Sequence, residues 1–453
     1  MNAKFLLILF LVTISLAETS FSQSRVLENY IQEGLKSNLQ LQQEQLNYER
    51  SVQNLQLSNA LFFPQVSAVG NYTLAGGGRK IQFPVGDLLN PVYSTLNQLT
   101  NSSSFPQIAN VNEQFLPNNF HETKLRVIQP LFNPDIYFAY KAQKELITVQ
   151  QAQKEAYENE LKFSIISSYY QYLQTEEAIG ILTKTKGLLT ELYKLNQRLV
   201  ANAKATKDVE SNAEYELSKA EYQLAEAQKN NQVAKSYFNF LLNRDLSAAI
   251  EKDSVIMSGT TQNMSIQQMT SQALQNRQEL KQIEGGLRAN DQLLQLQKGS
   301  AYWPKLSAAG DIGYQGFQYK FDSPQQFYLV QFGLSWDLFK AGEKKTKIQQ
   351  ARIDNQVLEN KLAQLKKQIE LQVVQAYYEW ETAQQTLLAS QNGKRSSERS
   401  FQIIRSKYKE GQAILLEYLD AQNKLTTAQL TQSINHFELM RKEAALQKVI
   451  ANL

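Results

Sequence analysis

The chain has 453 residues, a net charge of only +4, 42% hydrophobic and 20% charged residues, two histidines and no cysteine. These values exclude a disulfide scaffold, thiolate metal chemistry and a cysteine lipid anchor, and so mild a charge balance argues against a nucleic-acid or other polyanionic partner. After the N-terminus no run is apolar enough for a spanning helix, so any membrane-embedded part has to be a barrel.

The first residues, MNAKFLLILFLVTISLAETSFSQS, place Lys4 ahead of an apolar run from Phe5 to Leu16, with small residues at Ser20 and Ser22. A dozen apolar residues cannot cross a hydrocarbon core of ~30 Å, so residues 1–22 read as a signal peptide, with Gln23 as the new N-terminus.

Beyond it the chain says most things twice. ALFFPQVSAVGNYT, from Ala60 to Thr73, returns as SAYWPKLSAAGDIGY from Ser300 to Tyr314, with Pro64 and Pro304 in register 240 residues apart. LRVIQPLF, ending at Phe132, faces FGLSWDLF, ending at Phe339, 207 residues on. SYYQY from Ser168 faces AYYEW from Ala376, and Asn212, Ala213 and Leu217 face Asp420, Ala421 and Leu425, all 208 residues apart. Ordered matches at a nearly constant offset mark an internal duplication. The drop from 240 to 207 gives the first copy about 33 extra residues, within Gly76 to Asn119.

The first repeat, residues 23–245, has a helix, strands at about 63–74 and 122–132, and a long helical hairpin turning near 202–208. A linker or equatorial segment, 246–265, follows. The second repeat, 266–453, has a helix, strands at about 304–315 and 327–338, and a hairpin turning near 410–415. In the strands, Val66, Ala68, Gly70 and Tyr72 alternate with Gln65, Ser67, Asn71 and Thr73; Leu125, Val127 and Leu131 oppose Lys124 and Arg126. In the second copy Leu306, Ala308, Gly310 and Ile312 oppose Lys305, Ser307 and Asp311, while Val330, Phe332, Leu334, Trp336 and Leu338 oppose Gln331, Ser335 and Asp337. Period-2 segments of about ten residues are two-faced strands long enough for a tilted barrel. In the helices, Leu358, Leu362, Leu365, Ile369, Val373, Ala376 and Trp380 step by threes and fours, as do Leu188, Leu192, Leu195 and Leu199, which is a coiled-coil seam. No proline interrupts Ala139 to Ala301 or Lys340 to the C-terminus. The segment from Ile136 to Ala201 is then a rod of roughly 100 Å.

The fold class is therefore α+β, predominantly α: duplicated long coiled-coil helical hairpins plus four β-strands. Four strands cannot close a barrel, and an open antiparallel sheet with one wet face would lack a core to cover it. Several copies each donating four strands to one barrel solve both problems. Phe62, Phe63, Tyr302 and Trp303 then mark one membrane interface and Tyr72 with Tyr314 the other, as aromatic girdles.

In this order of elements the chain resembles the TolC-like outer membrane efflux protein family, from about Arg25 to Leu453. The likeness rests on the duplicated helix, Pro-initiated strand, strand ending in QPLF or WDLF, long helix, turn and return helix. YKEGQAILLEYLDAQNKL, Tyr408 to Leu425, also looks like the family's Tyr-x-x-Gly turn followed by Leu-Asp-Ala. The resemblance implies a homotrimer with a 12-strand outer membrane β-barrel and an α-helical tunnel across the periplasm. It further implies an exit duct that works with a periplasmic adaptor (membrane fusion) protein and an inner membrane transporter, in a tripartite efflux pump or type I secretion system. Adaptor docking would fall at the two turns, on Asn202, Ala203, Thr206 and Asp208 and on Gly411, Gln412 and Ala413. At the first turn Gly411 is replaced by Ala203, so Asn202 is expected to take the left-handed conformation there. Where family members carry acidic constrictions, RSFQIIRSKYKEG offers Gln402 and Arg405.

No catalytic set converges: Ser, Asp and Glu lack nucleophile-elbow or paired-carboxylate context, so no enzyme, cofactor or metal is expected. His121 and His436 are expected as solvated surface residues, one per half. GGG at Gly76 to Gly78 followed by Arg79 and Lys80 lacks the ending of a phosphate loop and reads as a flexible exterior loop. The competing function is a periplasmic coiled-coil adaptor or scaffold without a membrane barrel.

Overall fold

The computed structural model describes residues 25–253 and 264–453; the expected signal peptide and the middle of the expected linker lie outside them. In chain order come α1 (Arg25–Ser37), α2 (Leu39–Ala60), β1 (Gln65–Thr73), β2 (Lys80–Phe83), α3 (Val85–Leu99), β3 (Val111–Gln114) and β4 (Phe120–Phe132). Then follow α4 (Pro134–Ala201), α5 (Lys207–Leu241), α6 (Ile266–Asn276), α7 (Gln278–Tyr302), β5 (Lys305–Phe317), β6 (Gln326–Ser335), α8 (Glu343–Lys409) and α9 (Leu415–Val449). The chain is mostly helical with few strands, as the sequence implies, and the described residues form two compact units. One takes the chain up to Val52, Glu145–Arg288 and Gln356–Leu453; the other takes Gln53–Lys144 and Ala289–Asn355. Each unit therefore draws on both repeats.

The repeat offset of 208 is carried into the backbone. The 35-residue helices α5 and α9 start and stop 208 residues apart. Ala203 and Gly411 both have positive φ, as do Asn243 and Ala451. At each of these four helix ends the residue after the positive φ donates its N–H five residues back: Lys204 to Leu199 (2.8 Å), Gln412 to Lys407 (2.8 Å), Arg244 to Asn239 (3.0 Å) and Asn452 to Gln447 (2.9 Å). This is the Schellman closure, which satisfies the last carbonyls of a helix. The left-handed residue of the first turn is thus Ala203 and not Asn202. The duplicated closure fixes which position must turn, and Asn202 instead caps the helix by donating its side-chain amide to the Arg198 carbonyl at 2.6 Å.

In the first unit, Leu27, Tyr30 and Ile31 of α1 pack with Ile165 and Tyr169 of α4 and Phe238 of α5. The Tyr30 and Phe238 rings meet edge to face at 5.0 Å. Glu251 N–H donates to the Tyr30 hydroxyl at 2.7 Å, and the Tyr169 hydroxyl donates to the Glu251 carbonyl at 3.2 Å, which ties the start of the linker to this core. Along α8, Ile369, Val373 and Ala376 are buried as the seam implies. On α4 the buried stripe is Leu182, Thr185, Leu189, Leu192 and Asn196, one position from the expected one, of which only Leu192 is fully buried. Hydrophobic periodicity misses this stripe because two members are polar. Thr185 shares a hydrogen bond of 3.0 Å with Thr426, and Asn196 accepts one of 2.6 Å from the Tyr408 hydroxyl.

In the second unit the sheet order is β1-β4-β5-β6, every neighbour antiparallel, which leaves β1 and β6 as open edges. A bulge between Pro130 and Phe132 leaves Leu131 without a partner, directly after a proline that has no N–H to give the ladder. β6 ends at Ser335, so Trp336 and Leu338 lie beyond the ladder. The extra residues of the first copy are not a slack loop: β2 pairs with β3, and α3 is stitched to the segment after it by three asparagines. Asn90 exchanges two hydrogen bonds of 2.9 Å with Ile108, and Asn97 exchanges bonds of 2.8 and 3.0 Å with Phe105. Asn110 accepts from Asp87 N–H at 3.1 Å and donates to its carboxylate at 2.9 Å. Such side-chain-to-backbone bonds substitute for a ladder where no periodic pattern exists.

Neither histidine is a solvated surface residue. His121 is 0% exposed, its Nε2 at 2.9 Å from both the Lys320 carbonyl and Gln325 Oε1, and its ring lies against Tyr319 and Phe321. Gly316 makes room there, since a Cβ would come within 2.5 Å of the Gln325 side chain. His436 is half-buried beside Phe437, and that burial lowers its pKa below the usual imidazole value.

Candidate conduit wall and docking turns

Register partners share a face of a sheet, so the pairings sort the strand residues. Val66 faces Val127 and Ala68 faces Leu125; Ile312 faces Leu125, Phe332 faces Ala308 and Leu334 faces Leu306. All lie on one face, and it is bare: Val66 is 68% exposed, Phe332 79% and Tyr328 82%. A row of large apolar side chains this extensive, uncovered by the described residues, has the character of a contact surface for something apolar.

The opposite face carries Ser67, Asn71, Lys124, Arg126, Asp311, Gln315 and Gln331, interrupted by Val69, Ile128 and Leu329. At its centre Arg126 holds Asp311 with two hydrogen bonds, Nε to Oδ1 at 2.8 Å and Nη2 to Oδ2 at 2.7 Å. Lys124 Nζ reaches the same carboxylate at 3.0 Å and Glu122 at 2.6 Å. Two cations and two carboxylates cancel, and the fork geometry of Arg126 compensates the desolvated Asp311, whose side chain is 3% exposed. Placed against hydrocarbon, the same four groups would lose their hydration, so this face is the one suited to water.

Aromatic rings gather at both ends of the sheet. At the helix-proximal end Trp303 meets Phe132 at 5.7 Å and Phe62 meets Tyr140 at 5.8 Å, with Tyr302 exposed. At the other end Tyr72 meets Tyr319 at 5.6 Å and hydrogen-bonds Asn119, and Tyr314 meets Phe321 at 5.4 Å. Trp303 to Tyr314 is eleven residues along one strand line. With the usual rise and tilt that is about 28 Å of height, close to the apolar band of outer membrane barrels.

The structure brings the two turns to one packed end of the first unit. Leu189 and Leu192 of α4, Ala213 of α5, Phe401 of α8 and Leu415 and Tyr418 of α9 form a single cluster beneath them. The Tyr408 ring lies tilted against Tyr418, centroids 5.1 Å apart, and its hydroxyl bonds Asn196 across the hairpins. Asn202, Ala203, Thr206, Asp208, Gly411 and Gln412 are exposed, and Ala413 is half-buried. Sequence reasoning passed over Ile414 and Leu416, which are 63% and 72% exposed beside Gly411. Their equivalents 208 residues earlier are Thr206 and Asp208, and comparing the copies position by position was the signal that would have found them. Of the expected constriction pair, Gln402 is exposed, whereas Arg405 is half-buried and 3.7 Å from Glu191 of α4.

Residues 269–452 match the outer membrane efflux protein family. No curated protein sequence matches the chain. Among solved structures it is similar to the CmeC outer membrane channel of Campylobacter jejuni (14% identity, TM-score 0.77, covering 94% of this chain and 86% of that one). It is similar also to the outer membrane protein VceC of Vibrio cholerae (15%, 0.74, 94% and 95%) and to the open state of the MtrE outer membrane channel of Neisseria gonorrhoeae (15%, 0.73, 94% and 88%). The family match covers the second repeat, and the likeness to these channel structures extends the same fold over nearly the whole chain.

Proposed function

We propose that the chain is the outer membrane channel of a tripartite efflux pump or type I secretion system, a passive exit duct for substrate delivered by an inner membrane transporter and its periplasmic adaptor. It sits in the outer membrane and extends into the periplasm, is a conduit and not an enzyme, and uses no cofactor. Three copies pair β1 of one with β6 of the next, so that the open edges disappear into a 12-strand barrel. The observation that supports this reading is the sheet itself: one bare apolar face, one face of neutralised charge, and two unpaired edges. A periplasmic scaffold would have no use for that apolar face.

The helices supply the tunnel and the turns supply the contact with the adaptor. The 68 residues of α4 are about 100 Å long and end at the first turn. Helix turns with exposed short side chains suit docking against another helical hairpin. The test is a bulky residue at the turns, as Gly411→Trp or Ala413→Trp, followed by transport, membrane fractionation and oligomer mass. Transport is expected to be lost while trimers remain in the outer membrane. Normal transport by both variants, or loss of the trimer, removes the docking role. A wild-type chain that stays folded as a monomer without detergent removes the channel.

A further inference from the structure

Where β4 passes into α4 and α7 passes into β5, the second unit holds a cavity of about 490 Å³. Its apolar lining includes Phe62, Leu131, Phe132, Ile136, Phe138 and Trp303. The apolar face of the sheet runs into it through Phe132, which pairs with Leu306, and through Leu131, the residue that the bulge leaves without a partner. Gly299 lets the walls close up behind, since a Cβ there would stand 2.9 Å from Pro134.

The polar part of the lining is different chemistry. Lys298 lines the cavity and its side chain makes no hydrogen bond or ion pair with any described residue, nor does that of Gln295 beside it. The neighbouring cation, Lys305, is already neutralised by Asp135. An unpaired ammonium in an aromatic and aliphatic lining, four and five residues before the exposed Tyr302 and Trp303, matches one class of molecule: an amphiphile with an acyl chain and an anionic head. The volume is in the range that binds small molecules rather than water alone. We propose that this cavity binds an anionic membrane lipid, with an acyl chain on the apolar lining and its phosphate on Lys298. The inference rests on the reading of the sheet as a membrane barrel, which would put the cavity in the periplasmic leaflet.

The test is reconstitution of the full chain into phosphatidylcholine vesicles with a minor fraction of phosphatidylglycerol, mild detergent extraction, and native mass spectrometry of the lipids retained per protomer. Phosphatidylglycerol is expected to be enriched on the wild type, on Lys298→Arg and on Lys281→Met, an exposed lysine of the same helix, and to fall about tenfold on Lys298→Met. Equal retention of both lipids, or enrichment that survives Lys298→Met, overturns the proposal. So does an oligomer that falls apart in Lys298→Met, because the cavity would then be filled by the neighbouring copy. A chain that never enters the vesicles refutes the barrel itself; an inserted oligomer without enriched lipid refutes only the site.

Discussion

An arginine placed at Phe332 tests the orientation of the whole sheet. Phe332 pairs with Ala308, which is five residues beyond Trp303 and six before Tyr314 on β5. At about 3.3 Å per residue and a tilt of about 40°, that is roughly 13 to 15 Å from either aromatic level, the middle of the apolar band. An arginine there should cost about 2 to 4 kcal/mol, or roughly 30- to 700-fold in the folding equilibrium. Tyr328 pairs with Ile312, two residues from Tyr314, so Tyr328→Arg lies within about 5 Å of the interface and should cost about 0 to 1 kcal/mol. Gln331 is adjacent to Phe332 but faces Ala309 on the wet side with Arg126 and Asp311, so Gln331→Arg should be nearly neutral. Urea titration of the protein folded into bilayer vesicles measures all three. A flat profile, or a larger loss at Gln331 than at Phe332, means that the sheet is inside out or does not meet lipid.

The paired turns give a reciprocal experiment. An L-residue with positive φ costs about 1 to 2 kcal/mol, partly offset by the extra freedom of glycine in the unfolded chain, so Ala203→Gly should stabilise and Gly411→Ala destabilise by about 0.5 to 1 kcal/mol in denaturant melts; two shifts of the same sign would refute this. Asn97→Ala removes two bonds to Phe105, each worth about 0.5 to 1.5 kcal/mol, and should open residues 100–110 to limited proteolysis without changing global stability; unchanged cleavage would show that these bonds do not hold the segment. His436 has a folded pKa below its unfolded value near 6.5, because burial disfavours the imidazolium. Its neutral form is tolerated above that pH, and stability is lost as pH falls through 6.5 and the unfolded chain takes up the proton first. The melting temperature of the wild type should therefore drop further between pH 7 and pH 5 than that of His436→Gln, and parallel curves would contradict the burial argument.

Much of the architecture is legible in the residues because it is periodic or repeated. The two faces of the sheet follow from alternation at Val66 to Tyr72 and Leu306 to Ile312, and the hairpins follow from the offset of 208. What escaped has physical reasons of its own. The Asn90, Asn97 and Asn110 bridges act between single side chains and distant backbone, so a segment rich in asparagine, serine and glycine looks slack until its partners are known. The buried stripe of α4 includes Thr185 and Asn196, whose burial is stabilised by hydrogen bonds that no hydropathy pattern contains. Ala203 turns left-handed against its own preference because the closure repeated at Gly411, Asn243 and Ala451 leaves it no other geometry. Where the two copies share a backbone, their side chains are free to diverge, and they diverge at the turns: Thr206 and Asp208 in one, Ile414 and Leu416 in the other. If the proposed trimer and docking role hold, an adaptor would meet two chemically different turns per chain, one polar and one apolar, rather than two copies of the same one.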